Sequence, residues 1–514
     1  MVPVWDPPPD LFRRTIESIL QQSYGEFEIV IADDGSSSAQ VQSLLVEYER
    51  ADERVTVLSH RSNSGIVATL NLALSAAGRD FVAVVDHDDL LDPRAIERCL
   101  QALSSNPECD FLYTDEAWID PQDRRVGDFL KPDWSPERLR SQMYTNHLSV
   151  YRRELVMQLG AFRVGFDGSQ DYDLALRVTE EARRVIHLPE VLYYWRIHDG
   201  QVSGSSNEMV YAAARRALEE HCQRVGIEGW VEQTDLLGSY RVHRHLVEQP
   251  LVSIVVPTRG STGQVWGQQR TFVVEALRSI TANSSYTRLE FVVVADDSTP
   301  GPVLAELREI GGASLRIVRY RRDFNYSHKM NLGVLRSTGE YVILLNDDIE
   351  VISPDWIETL LGLAREPDVG MAGCILYFED GTIQHAGHIY RDGYPHHIAY
   401  GCAPDSSGPA RALTVDRECS GVTAACAMMK RDDYVRVGGL SRSYAFSFND
   451  VDLCLKVRQT GRRIVCTPWA KLYHFESKTR EEGVAARELD HIRRRWGRML
   501  DGDDPYWREI SASA

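Results

Sequence analysis

Val84-Val85-Asp86-His87-Asp88-Asp89-Leu90-Leu91 is an apolar run that stops abruptly in three carboxylates and one imidazole. A buried strand of a parallel sheet reads as a short continuous Val/Ile/Leu run, and ligands of α/β sheets gather just beyond the carboxyl ends of such strands. Carboxylates crowded there repel one another unless something positive neutralises them, and a hard divalent cation holding a phosphate is the commonest such partner. Taken alone, the stretch also fits an acidic surface turn. What weighs against a turn is a second copy far downstream, Leu344-Leu345-Asn346-Asp347-Asp348-Ile349.

The surroundings of the two stretches repeat as well. Ahead of the first, residues 27–32 read as a strand ending in Asp33-Asp34-Gly35-Ser36, followed by a helix, a strand over 55–58 and a helix opened by Asn63-Ser64-Gly65. Strands alternating with helices of this length make βαβ units and a parallel sheet. Ahead of the second stretch the same order returns: a strand over 251–258, another ending in Asp296-Asp297-Ser298, and a helix entry at Asn325-Tyr326-Ser327. Asp88 and Asp348 lie 260 residues apart, and Asp34 and Asp297 lie 263 apart. A near-constant offset over ordered elements predicts two copies of one α/β domain. The expected boundaries are a first domain over 1–225, a linker over 226–248, a second domain over 249–500 and a C-terminal tail over 501–514. The first strand of the first copy is short beside 251–258, which predicts a chain that starts several residues inside that strand.

Each copy then carries a second acidic cluster, Gln170-Asp171-Tyr172-Asp173 and Asn449-Asp450-Val451-Asp452, followed by apolar residues at helical spacing. Acids in a first helical turn are also what the helix dipole favours. Each copy closes on a strand-like segment with a histidine, His198 and His474, 276 residues apart against 279 for Asp171 and Asp450. An acidic strand end, an acidic helix start and a late histidine suit transfer of a group from a diphosphate: a metal neutralises the leaving group while a separate carboxylate removes the acceptor's proton.

Composition narrows the classes. At 514 residues the chain is too long for one core, and 43% hydrophobic with 26% charged residues is ordinary for a soluble globular protein. A net charge of -18 argues against a nucleic-acid surface, but not against a phosphorylated small molecule that brings a metal. Nine cysteines without Cys-x-x-Cys spacing fit reduced thiols, and the N-terminus lacks a signal peptide, so the expected location is the cytoplasm. There is no Walker A pattern, and neither first strand is followed by Gly-x-Gly-x-x-Gly, which argues against a P-loop NTPase and a hydride-transfer enzyme.

The ordered set Asp33-Asp34-Gly35-Ser36, Asp86-His87-Asp88-Asp89 and Gln170-Asp171-Tyr172-Asp173, with its counterparts Ala295-Asp296-Asp297-Ser298, Asn346-Asp347-Asp348 and Asn449-Asp450-Val451-Asp452, resembles family 2 glycosyltransferases of the GT-A fold. The similarity is strongest to tandem-domain bacterial enzymes of O-antigen and other surface polysaccharides. It implies two tandem Rossmann-like GT-A domains, each a mostly parallel mixed sheet flanked by helices. It also implies inverting transfer from a nucleotide sugar to a glycan or lipid-linked glycan, with Mn²⁺ or Mg²⁺. By that resemblance Asp171 and Asp450 are the general bases. Asp34 and Asp297 hold the nucleotide base, Asp33, Asp86, Asp296 and Asp347 belong with them to the nucleotide-sugar site, and Asp88, Asp348, His198 and His474 hold the metal. The departures are Asn346 for the first acid of the DxD motif, Gln170 and Asn449 for a glutamate, and Trp5-Asp6 where Tyr-Asn is usual.

Three further features remain. His385, His388, His396 and His397 crowd one segment without the ligand spacing of a known zinc motif, and the resemblance sets residues 380–387 beside the acceptor. Lys131-Pro132-Asp133-Trp134 either lines the acceptor cleft of the first copy, where a sugar would stack on the Trp face, or leads into an ordinary capped helix start at Ser135-Pro136. Arg493, Arg494, Arg495 and Arg498 suit peripheral contact with an anionic inner membrane face, or a solvated helix face. Three functions follow as alternatives: two metal-dependent transfer sites, one active domain beside a glycan- or nucleotide-binding one, or a non-catalytic sugar-nucleotide scaffold.

Overall fold

The computed structural model describes residues 1–197, 208–475 and 486–508. The chain divides into two compact units, Met1–Val242 and His243–Trp507. In the second, one mixed sheet follows the path Leu315–Tyr320, Leu289–Asp296, Val252–Thr258, Tyr341–Leu345, Cys426–Lys430, Val369–Tyr377, Arg463–His474 and Ile349–Val351. The first four strands pair in parallel, and Cys426–Lys430 runs antiparallel to both its neighbours. Side chains alternate between two cores: Val252, Ile254, Val256, Ile343 and Leu345 face one, and Val255, Val342 and Leu344 the other. Burial on both faces is why these strands read as unbroken apolar runs.

The first unit repeats this order. Phe81–Ala83, Ser149–Arg152, Phe111–Ile119, Val185–Arg196 and Leu90–Leu91 follow one another as their counterparts do from Tyr341–Leu345 to Ile349–Val351. Its parallel half, Val2–Val4, Ile29–Asp33 and Val55–Ser59, forms a three-stranded sheet. Val85 N donates to Met1 O over 3.0 Å, setting the acidic strand end beside the first strand.

Two stretches differ from expectation. Residues 226–248 are not a bare linker: Gly229–Gln233 and Tyr240–Arg244 pair with each other, burying Val231, Tyr240 and Val242. Only one face of this hairpin is apolar, so its pattern is thin in sequence. Between residues 501 and 508 the chain stays packed: Asp504 accepts from Tyr390 N over 2.8 Å, and Trp507 is buried in one cluster with Ile375 and Ile383.

A clamp recurs in both units. Asn71, on helix Ile66–Ala76, donates to Phe162 O over 2.8 Å and accepts from Phe162 N over 3.1 Å. Asn331, on helix Tyr326–Arg336, does the same with Leu440, over 2.7 and 3.0 Å. Each clamp ties a helix of the parallel half to the loop that leads to the acidic helix.

Helix Tyr326–Arg336 lies so close to the sheet that a Cβ on Gly333 would meet Val255 Cγ1 at 2.3 Å and Val294 Cγ2 at 3.0 Å. Ala73 holds the equivalent place in the first unit, buried without such crowding. Gly333→Ala is therefore expected to overpack the second unit and cost about 1–3 kcal/mol, read from denaturant unfolding of the full chain. An unchanged midpoint would contradict this packing.

Candidate active site

In the second unit the chain leaves Tyr341–Leu345 at Asn346-Asp347-Asp348 and re-enters the sheet at Ile349–Val351, where Ile349 lies opposite His474. That register brings Asp348 Oδ1 to 3.1 Å from His474 Nε2. The histidine is oriented from behind. Gln384 Nε2 donates to His474 O over 3.2 Å, leaving Gln384 Oε1 to accept from His474 Nδ1 over 2.6 Å. With its proton on Nδ1, the ring keeps Nε2 as an acceptor, reached by Asn346 Nδ2 at 2.9 Å. A nitrogen lone pair and a carboxylate oxygen at this separation fit two ligands of one cation, since neighbouring octahedral ligands about 2.1 Å from an ion lie about 3.0 Å apart. A second residue holding the far ring nitrogen is the usual support of a metal-binding histidine. The residues present fit a hard divalent ion.

The remaining groups surround this pair. Asp347 accepts from Thr258 Oγ1 over 2.5 Å; burial first, and then Asp348, push its carboxyl up to about 7. Asp450 opens helix Asn449–Gln459, where Oδ1 accepts from Val451 N over 2.8 Å and Oδ2 from Ala424 N over 3.3 Å. Tyr326 OH bridges Asn346 Oδ1 and Ala424 O, at 3.1 Å each, linking the strand end to the base candidate. Asp296 pairs with the buried Lys329 at 2.8 Å, while the exposed Asp297 faces Arg319 and Arg321 at 3.1 and 3.5 Å.

The first unit is built on the same frame with other side chains. Leu90 and Leu91 lie opposite Tyr194 and Tyr193, as Glu350 and Val351 lie opposite Tyr473 and Leu472. This register aligns Trp195, not His198, with His474; His198 lies outside the described residues. The imidazole enters instead from the bend that precedes strand Ser149–Arg152. His147 Nε2 stands 3.7 Å from Asp86, its Nδ1 stands 3.7 Å from Glu116, and its ring stacks on Tyr193 at 4.9 Å. Strand pairing makes Ala425 its counterpart. Asp89, fully buried, accepts from Tyr193 OH over 2.6 Å and Arg196 N over 2.7 Å. Asp171 accepts from Tyr172 N over 2.8 Å and from the Asn146 side chain, and burial raises its pKa.

Other residues singled out in the sequence are held by neighbouring groups. Asp33 accepts from Ser36 N and Gln42 Nε2 at 3.1 and 3.0 Å, and Asp34 from Ser64 N and Gly65 N at 2.6 and 3.0 Å. Both carboxylates are buried and held by donors of the loops they shape. Lys131, a candidate for the acceptor cleft, is fully buried against Glu116 at 3.2 Å. Glu116, His147, Thr258, Lys329 and Tyr326 were not singled out as site residues from sequence. The one available clue was a pair of acids, Asp115-Glu116, inside the otherwise apolar strand Phe111–Ile119.

A family model covers most of the chain. The sequence model described as Glycosyl transferase family 2 matches residues 1–160 and 253–438. The uncharacterized protein y4gI of Sinorhizobium fredii (strain NBRC 101917 / NGR234) is 38% identical over 530 residues, covering 98% of this chain and 56% of the relative. The O-antigen biosynthesis protein RfbC of Myxococcus xanthus is 33% identical over 487 residues, covering 93% of this chain and 37% of the relative. The chain thus spans about half or less of the length of these two relatives. Among solved structures, S. aureus TarS 1-349 in complex with UDP-GlcNAc shares 22% identity over 42% of this chain and 64% of that one, with a TM-score of 0.36.

The His147 network carries a pH signature. Burial disfavours the His147 cation, but Glu116, Asp86 and Asp89 outweigh it and hold the imidazolium up to about 9. Burial likewise disfavours the Glu116 anion, yet Lys131 and His147 bring it down to about 2. A raised histidine stabilises fully below its unfolded value near 6.5 and loses that contribution as pH rises toward 9; a depressed glutamate loses its own as pH falls from 4.5 toward 2. His147→Gln is expected to lower the stability of the first unit by about 1.5–3 kcal/mol at pH 6, with the gap to wild type closing by pH 9 in thermal unfolding. A gap independent of pH would refute a charged His147.

Proposed function

The chain belongs to glycosyl transferase family 2, and on that premise we propose that it moves a sugar from a nucleotide-diphosphate donor to a glycan acceptor, with inversion, in the synthesis of a bacterial surface polysaccharide of O-antigen type. One observation carries the proposal: in the second unit, Asp348 and His474 converge at 3.1 Å beside a strand end linked through Tyr326 to Asp450. The kinship with a protein named for O-antigen biosynthesis supports the choice of product class.

Asp348 and His474 would hold Mn²⁺ or Mg²⁺, which when bound offsets the charge of the departing diphosphate. Gln384 keeps His474 in the tautomer that offers Nε2. Asp450, oriented by the amides of Val451 and Ala424, takes the proton of the acceptor hydroxyl as that oxygen attacks the anomeric carbon. A single displacement with one base and no covalent intermediate inverts that carbon. Asp296, Asp297 and Asp347 line the donor side, with Lys329 as counter-charge.

A second reading is favoured for the first unit by its own geometry. With Trp195 in register with His474, and Asp86 and Glu116 flanking His147, it has the charge balance of a domain that binds donor or glycan without a divalent ion. The helix Ala486–Leu500 buries Ile492, Trp496 and Leu500 and leaves Arg494 and Arg498 exposed. Among the described residues no helix is long and apolar enough to cross a membrane. Because the apolar stripe of this helix is spent inside the unit, contact with an anionic cytoplasmic leaflet would be electrostatic and weakened by salt.

Asp450→Asn is expected to lower sugar transfer in the full chain by about 10²–10⁴-fold, and Gln384→Ala to weaken metal activation by about 10–100-fold. Asp171→Asn should leave transfer within a few-fold; full activity of Asp450→Asn together with loss in Asp171→Asn would reverse the assignment of the two units. Sedimentation with phosphatidylserine vesicles, but not phosphatidylcholine ones, should fall when Arg494 and Arg498 are both changed to Glu. Equal sedimentation of both proteins would remove the membrane contact.

A further inference from the structure

Beside the acidic site, with His388 and His397 in the field of Asp450 and His385 next to the Gln384 that orients His474, the second unit gathers three histidines whose ligand nitrogens all lie within 4.8 Å of one another: His385, His388 and His397. Local structure explains the convergence. His388 and His397 lie directly opposite each other in the hairpin His388–Arg391/Tyr394–His397. His385 ends strand Ile383–His385, and Gly387, at φ +107, turns the chain so that residues three apart face the same point. The neighbouring His396 falls outside the cluster and packs on the Tyr394 ring at 5.2 Å.

The three rings stand almost mutually perpendicular, at 77°, 77° and 87°, with centroids 5.0, 4.9 and 5.1 Å apart. Tridentate binding would produce this spacing. An imidazole nitrogen about 2.0–2.1 Å from zinc puts the ring centre about 3.2 Å away, and two such centres at the tetrahedral angle are about 5.2 Å apart. We propose that His385, His388 and His397 form a second metal seat, for a zinc-class ion held through nitrogen, chemically distinct from the oxygen-rich seat at Asp348.

Other features of the cluster agree. Burial disfavours the cations of His385 and His388, the neutral state that metal ligation requires. His388 Nδ1 is buried with no hydrogen-bond partner among the described residues, and His397 reaches solvent, which gives an ion an entry path. One contact opposes the ion. Thr423 N donates to His385 Nε2 over 3.2 Å, which places the His385 proton on Nδ1, 2.9 Å from His397 Nδ1. Ligation through Nδ1 moves that proton to Nε2, gives up both the Thr423 N and the His397 Nδ1 hydrogen bonds, and turns the new N–H toward the Thr423 amide, a cost set against three metal–nitrogen bonds. Three nitrogen ligands select zinc-class ions over Mn²⁺ and Mg²⁺ and leave the ion a further coordination position.

The test uses the full chain without a histidine tag, stripped with chelator and titrated with Co²⁺ as a coloured stand-in for Zn²⁺. One equivalent should bind with visible d–d absorption, be displaced by Zn²⁺ and not by Mn²⁺, and weaken at least 100-fold in His388→Ala and in His397→Ala while persisting in Asp348→Ala. The exposed His397 is the variant least able to disturb folding, and circular dichroism checks both. No absorption in wild type, absorption unchanged in both histidine variants, or absorption lost only in Asp348→Ala would each overturn the proposal.

Discussion

Repulsion among carboxylates at the carboxyl edge of a sheet is the constraint on which the rest of this molecule turns. Each unit delivers several acids to one strand end and must supply positive charge there. The two units answer differently. In the second, a carboxylate and an acceptor imidazole nitrogen face each other at Asp348 and His474, with Asn346 donating to that nitrogen, an arrangement suited to an external cation that takes the place of the Asn346 donor. In the first, the positive charge is part of the protein: His147 stands between Asp86 and Glu116, with Lys131 behind them.

The difference is spread over linked positions. Where the second unit has Asn346, Ala425 and His474, the first has Asp86, His147 and Trp195. Asn346 donates to His474, and Asp86 pairs with His147, whose ring lies 6.4 Å from Trp195. Changing one member alone would leave an acid without a partner or a cation without a counter-charge, so the set is understandable only as a whole. The framework beneath it is shared, down to the order of five strands and the asparagine clamps.

Much of the fold was legible in the sequence because it rests on periodicity and repetition. The strand ends at Asp86 and Asp347, the acidic helix starts at Asp171 and Asp450, and the duplication itself could be read from spacing. What spacing does not carry is register. His198 and His474 are near-matched in distance from their acidic helices, yet strand pairing sets Trp195 at the equivalent place. His147 was invisible for the converse reason: it belongs to a segment with no acidic motif and reaches the site only through the antiparallel pairing of Phe81–Ala83 with Ser149–Arg152. Asp33 and Asp34 stood out as a motif, while the donors that hold their carboxylates, Ser36 N, Gln42, Ser64 N and Gly65 N, did not.

The asparagine clamps make a strut of one helix in each unit. In the first, Asp34 grips the amides at the start of helix Ile66–Ala76, and Asn71 on that helix grips Phe162, on the approach to Asp171. In the second, Asn325, Ser327 and Asn331 all bond to backbone between Leu440 and Tyr444, on the approach to Asp450. A rigid member of this kind transmits displacement instead of absorbing it. The loop at one end of the strut and the acidic helix start at the other are thus braced against each other, so the position of each acid is fixed from across its own unit.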